Sequence, residues 1–253
     1  MSNVISRRAV LTTGALGAGL VLSGCDKLAD QPTFRKILFS GEKVNLGLQR
    51  ALSARHALAV EFRPDQMSPV FRVNGTANPN TPDYNAMVGE QFVNWRLQVG
   101  GLVNKPLSIS LDQLRQIPAR TQITRHDCVE GWSAIGKWHG PMLGTILKGA
   151  DVRNTARYVV FTCADLYSGQ AYYESIDMID AFHPQTILAW TMNDAPLTVG
   201  HGAPIRLRVE RQLGYKNAKY VMRVDAVASL DGIGQGKGGY WENSIGYDWY
   251  AGI

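Results

Sequence analysis

Cysteine is scarce: the 253 residues contain only Cys25, Cys128 and Cys163. No C-x-x-C pair and no closely spaced histidine pair accompanies Cys128, so a zinc site of about four protein ligands lacks its usual spacing. No C-x-x-C-H segment is present to attach a haem covalently. Beyond the N-terminus there is no run of lysines and arginines, which removes the electrostatic footprint of a nucleic-acid-binding protein. Nor does any later segment approach the roughly 20 apolar residues that a membrane-spanning helix needs. No internal repeat is visible. The remaining composition, 45% hydrophobic and 19% charged, is that of an ordinary globular chain.

What is present begins with Ser6-Arg7-Arg8 and Leu11, directly ahead of an apolar run from Ala9 to Ser23. This pattern resembles a twin-arginine export signal. Leu22-Ser23-Gly24-Cys25 looks like a lipoprotein box, in which Cys25 is lipidated and becomes the mature N-terminus. An acid at Asp26 resembles an inner-membrane retention signal. Together these imply a periplasmic protein, lipid-anchored to the outer face of the inner membrane. Removing residues 1–24 deletes two arginines and no acid, leaving 229 residues and taking the formal charge from +5 to +3. Residues 25–62 then read as a tether and an N-terminal helix, and residues 63–253 as one domain of α+β class with a mixed sheet.

Within that frame, Ser40 is expected to cap a helix running to Arg55. Arg63 to Tyr84 is long, Pro/Asn-rich and without regular pattern, the kind of loop that is usually functional. "NWRLQVGG" reads as a strand. "LSISLDQLRQIP" reads as a strand followed by a short helix that starts at Ser110 and stops at Pro118. Thr121–Thr124 reads as a strand leading into the Cys128 loop, and Pro141 as the first turn of a helix through Lys148. "ARYVVFTCAD" reads as a buried strand ending at Cys163. "YYESIDMIDAF" passes from strand to helix, and Asn193-Asp194 marks a turn between extended runs. "APIRLRVE" and "AKYVMRVDAVASL" read as alternating strands, with Arg206 on a face normally solvated. The Gly- and aromatic-rich tail reads as a packed loop. Elements in this mixed order favour α+β over a doubly wound sheet.

The chemistry turns on "RHDCVEGW", Arg125 to Trp132. Cys128 lies in a polar, glycine-containing loop just after a strand, a poor place for a core residue and a good one for a ligand. It could pair with Cys163 in a disulfide, or act as a nucleophile with His126 as base. It could also serve as a single thiolate on a thiophilic metal whose other ligands come from an organic cofactor. Such a cofactor would need basic side chains and close backbone approach. "FRVNGT" (Phe71 to Thr76), "HGAPIRL" (His201 to Leu207) and "GYKNAKY" (Gly214 to Tyr220) supply both.

Taken in order, "CVEGW", "YYESIDMIDAFHPQTILAWTMNDAPLTVGHGAPIRL" and "GYKNAKYV" resemble the sulfite-oxidase superfamily of molybdopterin enzymes. The branch they most resemble holds the exported catalytic subunits of protein-methionine-sulfoxide reductases. The resemblance spans roughly residues 71–250. It implies molybdenum and molybdopterin, with Cys128 as the catalytic residue and metal ligand. It implies cofactor contacts from Phe71, Arg72, Val73, Asn74, Gly75, Cys163, His201, Arg206, Asn217, Ala218 and Lys219. It further implies two-electron oxygen-atom transfer on an S-oxide, small or protein-borne, and a separate haem-containing membrane or cytochrome partner for the electrons. His126, Asp127 and Glu130 are candidates to tune the thiolate or move protons. Trp132, Trp138, Tyr247, Trp249 and Tyr250 are candidates for a substrate funnel or for packing.

Three departures stand out. His201 replaces the asparagine common before Gly-Ala-Pro, where an imidazole could still donate to the cofactor. Cys163 stands where the reductases often have threonine. Glu130-Gly131-Trp132 replaces the Gly-Asn-Arg of sulfite oxidases, which disfavours a dianionic substrate. A lipid-anchored binding or assembly protein that keeps the fold without the metal is the alternative.

Overall fold

In the computed structural model, residues 31–52 and 54–253 are described. The expected export signal, Cys25 and the start of the tether lie outside them. The chain divides into two units, residues 1–51 and 52–253. The described part of the first is a helix, α1 (Pro32–Leu52). It begins eight residues before the expected cap, so Ser40 sits inside the helix. Pro32 at its first position explains the earlier start, because a proline there loses no helical hydrogen bond. Among the described residues no helix is long and apolar enough to cross a membrane.

The second unit is α+β. Its largest sheet has five strands in the order β2 (Leu107–Ser110), β1 (Arg96–Gly101), β11 (Val221–Val227), β5 (Tyr158–Tyr167) and β6 (Gln170–Asp177). The β1–β11 pair is parallel and the other pairs are antiparallel, so the sheet is mixed. A second sheet joins β3 (Ala119–Asp127), β4 (Ser133–Pro141), β8 (Thr191–Met192) and β9 (Ala195–Pro196). A third pairs β7 (Ile187–Ala189) with β10 (Arg206–Arg208).

Local chemistry accounts for these elements. Helix α3 (Leu111–Gln116) starts at Ser110, whose hydroxyl accepts from Gln113 N while the Gln113 side chain reaches back to Ser110 N, a reciprocal capping box. Asn193 and Asp194 both have positive φ, 51° and 65°, and close the β8–β9 hairpin with the twist that antiparallel strands require. Strand β5 runs four residues past Cys163 to Tyr167, because its ladder with β6 resumes at Leu166–Ala171 after an irregularity. Pro141 ends β4 and does not open a helix; α4 (Leu143–Gly149) begins two residues later. β4 itself was unexpected. Its glycines hide the alternation, and Gly140 is there for proximity, since a Cβ would lie 2.1 Å from Leu188 O. Two further helices, α2 (Pro82–Gly89) and α6 (Tyr240–Ser244), appear at the end of the long loop and in the tail. α5 (Met178–Ala181) follows β6 as expected.

The main core packs Leu97, Val99, Phe161, Val221 and Val224 of the large sheet against Leu143, Ile146 and Leu147 of α4. A smaller cluster gathers Trp138, Ile187, Ala189, Leu197 and Ala203 beneath β4 and β7. Every residue of β7 and β10 is buried, the two arginines of β10 included. Arg206 is therefore no solvated surface residue, contrary to the reading from alternation. Short strands covered on both faces do not alternate.

Gly101 and Gly169 allow a matched test of backbone constraint. Gly101 has φ +75° and a Cβ would lie 2.2 Å from Ala226 O, whereas Gly169 has φ +79° and open space around it. Gly169→Ala should cost about 1–2 kcal/mol, the left-handed penalty alone. Gly101→Ala should cost more than about 2 kcal/mol, because backbone must also move. Urea midpoints of the two variants measure the difference.

Candidate active site

Cys128 sits in the turn joining β3 to β4. Asp127 pairs with Ser133 across the ladder, Cys128 N donates to Trp132 O at 2.9 Å, and Gly131, with φ +84°, donates to Cys128 O at 3.0 Å. The hairpin thus holds the thiol at one end of a rigid ribbon. It lies at the wall of a cavity of about 590 Å³. The same wall includes Phe71, Arg72, Asn74, Gly75, His201, Arg206, Asn217, Ala218 and Lys219, so the structure brings ten of the expected site residues together, Cys128 included. Val73 is 43% exposed and packs toward Gly200. Cys163 is buried in the main core and absent from the cavity wall. Both cysteines are free.

The segment Phe71–Thr76 is strapped across this cavity by long-range bonds. Lys219 Nζ donates to Asn74 O at 2.8 Å, to Gly200 O at 3.0 Å and to Thr76 O. Tyr220 Oη donates to Thr76 O at 2.8 Å. Phe71 packs edge-on to Trp138 with centroids 5.2 Å apart. His201 belongs to the same strap. Its Nε2 faces Phe71 O at 3.0 Å and its Nδ1 faces Thr198 Oγ1 at 2.8 Å. A carbonyl can only accept, so Nε2 carries the proton and spends it on the loop. His201 therefore positions Phe71 and does not reach into the cavity as a donor, unlike the expectation from sequence. Asn217 is similarly committed, its Oδ1 accepting from Val209 N at 2.8 Å and its Nδ2 donating to Leu213 O at 3.2 Å.

Arg206 is the anomaly. It is buried, its Nη atoms reach only the carbonyls of His201 and Asn217, both at 3.2 Å, and its Nε has no partner. Burial and the adjacent Arg208 both work against its charge. Arg208, by contrast, is neutralised by Glu210 through Nε at 2.9 Å and Nη2 at 2.6 Å. A buried guanidinium without a carboxylate is costly unless something else supplies the negative charge. Lys219 shares the predicament: burial and Arg206 pull it down to about 7, with Asp165 acting the other way. Two cations facing one cavity with this little compensation fit a large anionic group.

The thiol's surroundings limit its chemistry. Burial raises the Cys128 pKa, and the charge of Glu130 adds to that; the Glu130 backbone, Arg72 and Asn74 lower it. Asn74 Nδ2 approaches Sγ at 3.4 Å. A raised thiol is a poor free nucleophile. The neighbouring His126 cannot be its base through Nδ1, which is occupied by Arg208 Nη1 at 2.8 Å. The thiol-enzyme alternative loses its general base.

The aromatic candidates divide. Trp132 and Tyr247 line the cavity, and Arg72 stacks 4.8 Å from the Trp132 ring. Trp138 is fully buried, Tyr250 is buried, and Trp249 donates to Ser175 Oγ at 2.8 Å; these three pack. Sequence reasoning missed Asp165, Tyr172, Tyr215 and Trp241 on the wall. An acid two residues beyond Cys163 in an otherwise apolar strand run was the available signal for Asp165. Lys216, the other lysine of the "GYKNAKY" segment, is fully buried between Glu174 and Glu242, 2.7 Å from the latter, and ties α6 to the sheet.

A cavity with one thiol at its wall and a buried, only partly compensated cationic cradle defines a site for a large anionic cofactor beside a cysteine. Residues 85–230 match the family model of the oxidoreductase molybdopterin binding domain, more than half of the chain. The chain belongs to that family and is a molybdopterin-dependent oxidoreductase, with molybdenum and molybdopterin as its cofactor. It is 37% identical over 256 residues to YedZ1 of Azospira oryzae, named provisionally as a protein-methionine-sulfoxide reductase subunit, covering 98% of this chain and 88% of that one. It is 30% identical over 235 residues to the protein-methionine-sulfoxide reductase catalytic subunit MsrP of Xanthomonas axonopodis, covering 88% and 70%. The crystal structure of the sulfane dehydrogenase SoxCD from Paracoccus pantotrophus overlaps with 55% of this chain and 40% of that one, at 24% identity and a TM-score of 0.49.

An anion bound against Arg206 and Lys219 raises the lysine's pKa again, so binding takes up a proton. In cofactor-free protein, affinity for sulfate, an anion of constant charge in this range, should weaken as pH rises above about 7. In Lys219→Met it should be weaker throughout and lose that slope. Titration calorimetry at several pH values reads both.

Proposed function

We propose that this chain reduces S-oxides, with methionine sulfoxide the substrate class, at a molybdenum centre held by the Cys128 thiolate. The observation that carries the reading is Cys128 Sγ at the wall of a cavity whose buried Arg206 lacks a carboxylate partner. Among the described residues no three His, Cys, Asp or Glu side chains converge on a metal position, and a metal held by Cys128 would need its other ligands from the pterin. Once bound, the cofactor supplies two-electron oxygen-atom transfer.

The protein's own share follows from its geometry. Arg206 and Lys219 compensate the cofactor's negative charge. Asn74 orients the sulfur by its 3.4 Å contact, and the Phe71–Thr76 strap limits access. As the metal's ligand, Cys128 would bind as the thiolate and give up its proton. His201 and Asn217 hold the backbone of the cradle through Phe71 O and Val209 N. Near the thiol, Glu130 accepts from Trp132 Nε1 at 3.2 Å and Arg72 is the neighbouring cation that acts on it. An acid, an indole and a single arginine suit a neutral S-oxide better than the sulfite dianion. Names carrying the reductase activity among the relatives support the same substrate class.

Export by a twin-arginine signal in residues 1–24, a lipidated Cys25 on the periplasmic face and a domain over 63–253 complete the proposal. So does a haem-containing membrane or cytochrome partner that delivers electrons singly.

Elemental mass spectrometry of the exported protein should find about one molybdenum per chain, and much less in Cys128→Ser. With a reduced viologen as donor, the wild type should turn over methionine sulfoxide, and with ferricyanide as acceptor it should leave sulfite unoxidised. Folded, exported wild type without molybdenum would end the proposal; sulfite turnover exceeding sulfoxide turnover would overturn the substrate class.

A further inference from the structure

His126 is two residues from Cys128, buried, and part of the cavity wall. Its ring is held from one side by a chain of polar groups. Gln122 Nε2 donates to Glu210 Oε1 at 2.8 Å, Glu210 takes two bonds from Arg208, and Arg208 Nη1 lies 2.8 Å from His126 Nδ1. A guanidinium has donors and no acceptor. The short contact therefore requires Nδ1 to be the acceptor, and the ring proton must sit on Nε2. Arg208 cannot turn away, because Glu210 grips its other nitrogens and Trp138 packs 4.4 Å from its carbon centre. Phe71 and Trp132 pack the ring itself, each with centroids 5.6 Å away.

The far nitrogen has no such commitment. Among the described residues Nε2 has no hydrogen-bond partner, and it is not sealed from the cavity in the way that the Arg206 Nε is. A glycine lets the ring lie there at all: a Cβ on Gly214 would come within 2.6 Å of Nε2. A donor whose tautomer is fixed from behind, whose ring is clamped and whose far nitrogen is unpartnered at a cavity wall is built to be used.

We propose that His126 contacts the bound group directly, its Nε2–H donating to an oxygen or sulfur acceptor that lies beside Cys128. That acceptor belongs either to the cofactor or to the substrate's S-oxide. The inference rests on the reading of Cys128 as the cofactor's ligand. It differs from that reading in what it assigns to the ring: a fixed donor, where a base for the thiol was the role its position in sequence suggested. The network through Glu210 and Gln122 is positioning machinery for that one proton.

Two substitutions separate the two ring nitrogens. An asparagine amide falls near the Nδ1 position, so His126→Asn keeps an acceptor for Arg208 and loses the distal donor. A glutamine amide falls near Nε2, so His126→Gln keeps a distal N–H and loses the acceptor. The proposal expects Asn to be the damaging change and Gln to recover most of the loss. If the acceptor is on the cofactor, Asn should lower molybdenum retention and alter the Mo(V) resonance, with an effect on the order of tenfold on retention. If the acceptor is on the substrate, metal content stays at the wild-type level and KM or kcat for methionine sulfoxide changes by a similar factor. A ring that serves only to satisfy Arg208 gives the opposite order, with Gln damaging and Asn tolerated, and that result overturns the proposal. Wild-type behaviour of both variants overturns it too, as does equal damage in both. Nitrogen-15 spectra of histidine-labelled holoenzyme add a readout free of turnover: the His126 resonances must show a neutral ring protonated at Nε2, and protonation at Nδ1 overturns the assignment. Metal-free wild type would instead sink the cofactor reading and leave the tautomer result standing.

Discussion

Strand β10 places two arginines, one residue apart, in a strand covered on both faces, and the protein treats their charges differently. Arg208 is answered by Glu210 inside the fold. Arg206 is left with two carbonyls and an unpartnered Nε. Burying a charge without its counter-charge is among the larger penalties a fold can carry. The cost is tolerable when a ligand of opposite sign completes the pairing. The rest of the site is arranged around that debt: Lys219 adds a second cation, the 71–76 strap covers it, and the hairpin carries the thiol to the same cavity.

The two arginines also explain why the surrounding polar groups look over-engineered for stability alone. Gln122, Glu210, Arg208 and His126 form a linked series running from the second sheet toward the cavity. Each member uses its hydrogen-bonding capacity on the next, which is the condition for a buried polar network to stiffen a fold. His201 behaves alike, with both ring nitrogens spent on Thr198 and Phe71. Two histidines at one cavity thus have opposite duties, decided by what sits behind each ring and not by residue type.

Much of this was legible in the sequence, and the pattern of what was not is physical. The Ser110 cap, the Asn193-Asp194 turn, the passage from β6 into α5 and the mixed α+β class follow from local chemistry that survives in any tertiary context. Ten of the twelve residues expected around the cofactor do meet at the cavity, because the motifs that suggested them combine small residues with cations. Strand β4 was missed because Gly140 serves contact with β7 and Gly136 faces the Phe71 ring, demands invisible before the chain is packed. Arg206 looked exposed because alternation assumes one wet face. His201 looked like a cofactor donor because its partners, Thr198 and Phe71, are respectively three and 130 residues away, and only folding reveals the second. Lys216 shares its basic segment with Lys219, yet its two anions, Glu174 and Glu242, come from β6 and α6.

The strap has a further consequence, in how far a single side chain reaches. Lys219 ties carbonyls of residues 74, 76 and 200 with a single ammonium, joining chain segments far apart in sequence at the wall of the cavity. One residue therefore sets the position of three backbone sites at once. A change at residue 219 releases the 74–76 segment and the Gly200 turn together, so damage at one point of the chain is felt along the whole of that wall.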